Sequence, residues 1–299
     1  MSATTEKLDD LRLEIDEIDA QLHELLIRRT EVSQQIGKLK ERSRPHIRPG
    51  REAAIMRNLV ARHRGSLPKA VLLRLWREII ADSAQQQGPF SLSVYAGEEA
   101  PELRDLARET FGVLTPLSEQ GSNVRVLNEV ANGKATLGVL PPIQSDSRNP
   151  WWRHLARDGA DVPRIVSRLP FAPWPRDRGG DSEALVVALG PPEPSGDDRS
   201  FLVAEVQDRM SRAAFKDLLA KAGLVARETA TWTDGEDAPY CYCLAEVDGY
   251  LEGPEAPPLS DLIEAAGERV SRVWVIGRYP VPLSDDEMAS TDRGTRGRR

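Results

Sequence analysis

The chain has 299 residues, room for two or three domains, with 40 Lys and Arg against 47 Asp and Glu for a formal net charge of −7. That acidic balance argues against wholesale nucleic-acid binding, and 40% hydrophobic with 29% charged residues is the mix of a globular protein with sizeable cores. The opening MSATTEKLDD lacks a basic n-region and an apolar h-region, and no later run approaches the roughly 20 apolar residues of a membrane span, so a cytoplasmic protein with no membrane or nucleic-acid partner is expected.

The first element is a long helix from Leu8 to Lys40, with apolar residues at Leu8, Leu11, Ile15, Ile18, Leu22 and Leu25, then Val32, Ile36 and Leu39. The seam position after Leu25 is Arg29, a guanidinium whose desolvation is costly unless an anion meets it. Lys40 lies eleven residues on, about 20° round the helix and roughly 16 Å along it, so both cations face the same seam. Arg12 lies about 100° away, so one helix does not aim all three at one small ligand, whereas a second copy can. A segment on the order of 50 Å long implies an intertwined homodimer. A plain coiled coil with a polar register residue fits this segment equally well.

Pro45 and Pro49-Gly50 end that helix, and Arg51 opens a second carrying Ile55, Met56, Leu59 and Val60 to about His63. A third is expected from Lys69 to Gln87, with Leu72, Leu75, Trp76, Ile79 and Ile80 as its inner stripe. Continued, the stripe reaches Ser83 and Gln87, two hydrogen-bonding side chains on an otherwise apolar face, where a polar pocket between helices needs them.

Through LRLEIDEID, LLIRRTEV, IGKLK, the RPGRE turn and IIADSAQQQ, residues 5–88 resemble the all-helical chorismate mutases, intertwined three-helix dimers. The resemblance implies chorismate as substrate, with Arg12 from the partner copy, Arg29, Arg51 and Ser83 binding it and Lys40, Gln87 and Glu52 in catalytic positions. Glu52 matches the group that meets the substrate hydroxyl. Arg48 stands where some relatives carry an acidic residue whose backbone makes the contact, and receives no role. Rearrangement of chorismate to prephenate is unimolecular and pericyclic, so no cofactor, metal or nucleophile is implied; the site holds a flexible dianion in its reactive conformer and stabilises charge on the breaking ether oxygen. With Gln87 as a neutral donor beside Lys40, activity nearly flat around neutral pH is expected.

After Gln87 the period changes. Phe90–Ala96 and Thr136–Leu140 read as strands and Pro101–Phe111 and Val124–Asn132 as helices, a βαβ-like order. SVYAGEEAPELRDLARETFG and VRVLNEVANGKATLGVLPP resemble the first lobe of a prephenate dehydratase. The stretch after Pro142 is short for a second lobe, and that family's Thr-Arg-Phe strand is replaced by Glu183-Ala184-Leu185, leaving no hydroxyl and guanidinium pair there, so a catalytically dead remnant is expected over residues 89–190. Trp151, Trp152 and Trp174, in a Pro-rich connection, are expected to pin loops to a core rather than stack on a ligand.

Beyond the linker Gly190–Asp198, strands at Ser200–Val206, Val225–Thr233, Tyr240–Val247 and Arg272–Ile276 and helices at Arg212–Gly223 and Leu259–Arg269 give the βαββαβ order of a ferredoxin-like sandwich. Residues 199–283, ending in VWVIGRYPVPL, resemble an ACT domain. Its regulatory motifs for phenylalanine correspond to Arg212-Ala213-Ala214 and roughly Glu228-Thr229-Ala230-Thr231, both eroded, so an aromatic amino-acid effector stays open. Cys241 and Cys243 fall on one face of a strand and are expected as buried free thiols; the four histidines show no metal-ligand spacing, so no metal is expected. Residues 284–299, basic at the end, are expected to be a disordered tail.

The expectation is thus a multidomain α plus α/β plus α+β chain: a mutase domain, a partial dehydratase-like lobe and an ACT-like domain, acting as a monofunctional chorismate mutase in aromatic amino-acid biosynthesis. The alternatives are a bifunctional chorismate mutase/prephenate dehydratase, and a non-catalytic helical dimer with a ligand-sensing ACT-like module.

Overall fold

The computed structural model describes residues 3–39, 48–98, 100–145, 147, 150–173, 182–190, 192–207, 210–235 and 238–289. Lys40, His46, Trp174 and the basic end of the chain lie outside the described residues.

Three helices come first: α1 (Ala3–Leu39), α2 (Pro49–Arg62) and α3 (Lys69–Gln87), close to the spans expected from apolar spacing. Proline in the first turn of α2 costs no hydrogen bond there. Residues 5–28 of α1 are exposed throughout, including Leu8, Leu11, Ile15, Ile18, Leu22 and Leu25. The helix meets α3 instead through Arg29, Ser33 and Gly37, one stripe at four-residue spacing, and a Cβ on Gly37 would come within 2.9 Å of the Gln87 Cα.

The inner face expected for α3 needs correction at Leu75, which is exposed. The helix has two contact faces. Leu72, Leu73, Trp76 and Ile80 pack with Met56, Leu59 and Val60 of α2, whereas Arg77 and Ala81 are buried on a second face, where Ala81 abuts Gly112 at the end of α4.

The rest is built on one nine-stranded sheet. β1 (Leu92–Tyr95), α4 (Leu103–Phe111), β2 (Leu117–Gln120), α5 (Asn123–Ala131) and β3 (Leu137–Leu140) form a parallel unit. Ser122 caps α5 by accepting from the Arg125 N–H. A 3-10 turn at Trp151–Leu155 buries Trp151 and Trp152 in the core, as the pinning expectation requires of those two. β4 (Arg164–Leu169) and β5 (Ala184–Ala188) then pair antiparallel, with β5 against β3.

β6 (Asp198–Gln207), α6 (Arg212–Lys221), β7 (Ala226–Thr233), β8 (Tyr240–Asp248), α7 (Leu259–Ala266) and β9 (Val270–Pro280) give the βαββαβ order, with strands arranged β9-β6-β8-β7. Cys241 and Cys243 are buried free thiols, and their mutual hydrogen bond and burial raise the Cys243 thiol. The short helix α8 (Asp285–Ala289) lies inside the segment expected as a tail; Met288 packs against the α2 and α3 core and Lys69 Nζ donates to the Glu287 carbonyl at 2.6 Å.

The two halves join where β4 meets β9 through one parallel pair, Ile165 with Gly277. The approach is close: a Cβ on Gly277 would sit 2.3 Å from the Ile165 Cβ and 2.8 Å from its carbonyl oxygen. A buried ionic network crosses the same junction. Arg168 on β4 reaches Glu183 at 2.7 Å and Glu246 on β8 at 3.3 Å, Tyr279 on β9 donates to Glu246, and Arg199 on β6 lies 3.6 Å from it. Glu183-Ala184-Leu185, where the sequence leaves no hydroxyl and guanidinium pair, is thus faced by Arg168 from the neighbouring β4, already engaged by carboxylates.

Gly277→Ala drives its methyl into the backbone of β4, and overpacking of this kind costs about 1–3 kcal/mol. Urea unfolding checks it: the variant loses stability in that range, whereas Gly267→Ala, with open space at its Cβ though a left-handed φ of +58°, leaves the β4–β9 junction intact.

Candidate active site

One cavity of about 240 Å³ lies between α1, the start of α2 and the end of α3, lined by Arg29, Ile36, Arg48, Arg51, Glu52, Ile55, Ile80, Ser83, Ala84 and Gln87. Five residues singled out in the sequence, Arg29, Arg51, Glu52, Ser83 and Gln87, therefore meet at one place. Arg12 does not. It is exposed on α1, donates to Asp9 at 3.1 Å, and lies about 26 Å along the helix from Arg29, so within one chain it reaches no part of this cavity.

Arg29 is held at the cavity wall by neutral acceptors: its guanidinium donates to the Ser83 hydroxyl and, at 3.2 Å, to the Ile79 carbonyl. Desolvation lowers its pKa, with the nearby Asp82 opposing the shift. Ser83 in turn donates to the Ile79 carbonyl at 2.7 Å, so one α3 carbonyl anchors both side chains. Gln87 is oriented from the other helix, its Nε2 donating to the Ser33 hydroxyl at 3.1 Å, while Ser33 donates to the Ser83 carbonyl at 3.3 Å. Gln85 and Gln86 bond elsewhere, Gln85 donating to the Thr115 hydroxyl at 3.1 Å and Gln86 accepting from Gln34 Nε2 at 3.0 Å.

Glu52 is the most perturbed acid here. Burial lifts its carboxyl to about 7, opposed by a backbone hydrogen bond at Arg48. It lies between this cavity and a small void of about 50 Å³ that also touches Arg77, Phe111 and Val166. Arg77, buried on α3, is lowered to about 10 by desolvation, with Glu109 opposing. Burial thus places a carboxyl with a raised pKa on the same cavity wall as Gln87, a group that the expectation of flat behaviour around neutral pH did not include.

Arg48 is the residue the sequence reading passed over. Its side chain lines the cavity, and its Nη2 lies 3.6 Å from the Glu193 carboxylate of the connection between β5 and β6. No local signal marks it, because its partner is far along the chain. The two segments compared with phenylalanine motifs in the sequence also come together: Arg212, Ala213, Glu228, Thr229 and Ala230 line a separate cavity of about 600 Å³ with Lys216 and Leu244. Arg212 there donates to the Ser145 carbonyl at 2.9 Å. Among the described residues no group of three or more His, Cys, Asp or Glu is placed to hold a metal, and no helix is long and apolar enough to cross a membrane.

Residues 11–88 match the family model described as chorismate mutase type II. The bifunctional chorismate mutase/prephenate dehydratase of Pseudomonas aeruginosa is 28% identical over 145 residues, covering 46% of this chain and 40% of that protein. The Aquifex aeolicus protein of the same description is 29% identical over 141 residues, covering 46% of this chain and 39% of its own. The match thus spans about two-fifths of the length of these relatives. Among solved structures, prephenate dehydratase from Streptococcus mutans aligns with 63% of this chain and 97% of its own at 11% identity and a TM-score of 0.45.

The raised carboxyl of Glu52 has a defined effect on stability. Its folded value, about 7, lies above the ordinary 4.5, so the folded state takes up the proton first; the stabilisation is complete below the ordinary value and is lost as pH rises through about 7. Urea unfolding at about pH 5 and about pH 8 should show wild type losing more stability than Glu52→Gln over that interval. Equal losses would show that Glu52 does not titrate there.

Proposed function

We propose that the helical unit, paired with a second copy, is a chorismate mutase that converts chorismate to prephenate. The observation that carries this reading is the convergence of Arg29, Arg51, Glu52, Ser83 and Gln87, from three helices, on one cavity, together with the family match over the same residues.

The side chains suit a pericyclic reaction. Arg29 and Arg51 supply guanidinium forks that pair with carboxylates through two parallel hydrogen bonds, and Arg12 of the second copy supplies another. These grips hold the flexible dianion compact, which offsets the entropy of reaching the reactive conformer. Gln87, fixed by Ser33, and Lys40 donate to the ether oxygen as negative charge grows there, the step that lowers the barrier. Glu52 meets the substrate hydroxyl. Its protonated form adds no charge to a cavity that must receive a dianion, so turnover declines as pH rises past about 7.

The second copy is supported by α1 itself. Twelve large apolar residues between Leu8 and Leu39 are exposed in the single chain. Each contributes about 1.5–3 kcal/mol when fully buried, and a second long helix is the occupant whose length and periodicity match. The dehydratase-like half is read as inactive, since Glu183 is engaged by Arg168. The βαββαβ unit is read as ACT-like, and its cavity is the place where an aromatic amino-acid effector would act.

Purified protein should consume chorismate and form prephenate. Lys40→Ala and Gln87→Leu should each lower kcat by at least about 100-fold, the scale for losing a donor to developing charge, with unfolding midpoints near wild type. A protein without turnover, whose α1 dimer is unaffected by these changes, would be the non-catalytic module instead. Incubation with prephenate should yield no phenylpyruvate; its formation at a useful rate would identify the bifunctional enzyme.

A further inference from the structure

We infer that Arg48 is an additional carboxylate-binding residue of the mutase cavity and that Glu193, reaching in from the connection between β5 and β6, is its built-in competitor. The inference rests on reading the cavity as a site for a dicarboxylate substrate. It adds a residue to that site and a link to the other half of the chain.

Arg48 caps the N-terminal end of α2 and shares the cavity wall with Arg29 and Arg51. Its guanidinium lies 3.6 Å from the Glu193 carboxylate, and the two side chains are 48% and 58% exposed. An ion pair so open to water is weak and exchanges readily. A dianion entering the cavity offers the same fork a carboxylate at closer range, in a setting where hydrogen bonds to charged groups are stronger.

The competitor is delivered by a well-anchored backbone. Arg57 on α2 donates to the Ser195 carbonyl at 3.4 Å, the Ser195 hydroxyl at 3.1 Å, the Asp197 carbonyl at 2.9 Å and the Val281 carbonyl at 2.8 Å. Asp198 closes the same turn by accepting from the Ser195 and Gly196 N–H groups at 2.7 and 3.1 Å. The segment also presses on the start of α2: a Cβ at Gly50 would fall 2.5 Å from the Glu193 carbonyl oxygen. Backbone placement is therefore set by Arg57, Asp198 and Gly50, and the Glu193–Arg48 contact is a detachable side-chain pair on top of it.

Two consequences follow. Without substrate, Glu193 offsets one of the three guanidiniums that line the cavity among the described residues and so weakens the attraction for a dianion. With substrate, Arg48 leaves Glu193, so occupancy of the cavity is coupled to the segment leading into β6. By linkage the coupling is reciprocal: whatever displaces this segment changes affinity at the cavity.

The test is a double-mutant cycle on the full chain with chorismate, read as KM and kcat and, separately, as binding by calorimetry. Glu193→Gln should lower KM about three- to fivefold with kcat unchanged, and Arg48→Gln should raise it. In the Arg48→Gln background, Glu193→Gln should have no further effect, and the Glu193 effect should shrink with added salt. An unchanged KM in Glu193→Gln, or the same change with and without Arg48, overturns the inference while mutase activity stands. Tighter chorismate binding by Glu193→Gln with no prephenate formed by any variant keeps the inference and overturns the mutase reading. Absence of chorismate binding by both wild type and Glu193→Gln overturns both.

Discussion

The structure turns on a guanidinium placed where a helix seam calls for a methyl group. Arg29 loses water at the α1–α3 contact, and the hydrogen bonds it makes there are to neutral oxygens, the Ser83 hydroxyl and the Ile79 carbonyl. Neutral acceptors orient a cation without discharging it. Its charge is thus held ready for an anion, and Ser33 and Gln87 extend the same polar contact along the helices. An apolar residue at position 29 would give a better-packed helix pair with nothing to offer a ligand.

The second constraint lies at the opposite end of the architecture. A sheet of nine strands is continuous across two units whose strands β4 and β9 register at Ile165 with Gly277, and side chains secure the junction. The Arg168 network does this from five strands or their ends, with Glu246 almost fully buried. Buried pairs of this kind add little net stability over an apolar replacement, yet removing one member leaves a charge without compensation. They therefore define the register of the junction more than they strengthen it.

The helices were legible because the period of 3.6 is strong and Pro or Gly punctuates each end; the bounds of α3 match those read from the sequence. Its second face was not legible. Ala81 shares it with Arg77, a charged side chain that no apolar stripe marks and that borders a void lined by Phe111 and Val166 of the α/β half. β2 escaped notice because an edge strand reading Leu-Ser-Glu-Gln shows no apolar alternation, and β4 because Arg164 and Arg168 break its apolar run. The fusion of both units into one sheet depends on Gly277 meeting Ile165, a pairing with no local trace. At the site, Arg29, Ser83 and Gln87 were visible as polar breaks in apolar stripes, whereas Arg48 was invisible because its role depends on a distant chain segment.

In the dimer proposed above, association and charge placement at the cavity are one problem. A single chain brings Arg29, Arg48 and Arg51 to the cavity and leaves Arg12 far along an exposed helix. Like charges at close range repel, so a cluster of guanidiniums without a ligand opposes assembly. The long apolar seam of α1 can supply the association energy that bringing in another cation consumes, which accounts for a helix longer than the packing of one chain requires. In the proposed scheme Glu193 acts in the same direction, its carboxylate lying 3.6 Å from the Arg48 guanidinium. On the mutase reading, helix length, seam polarity and the docked connection before β6 then answer a single requirement, that a cavity be cationic enough to hold a dianion and still be stable without one.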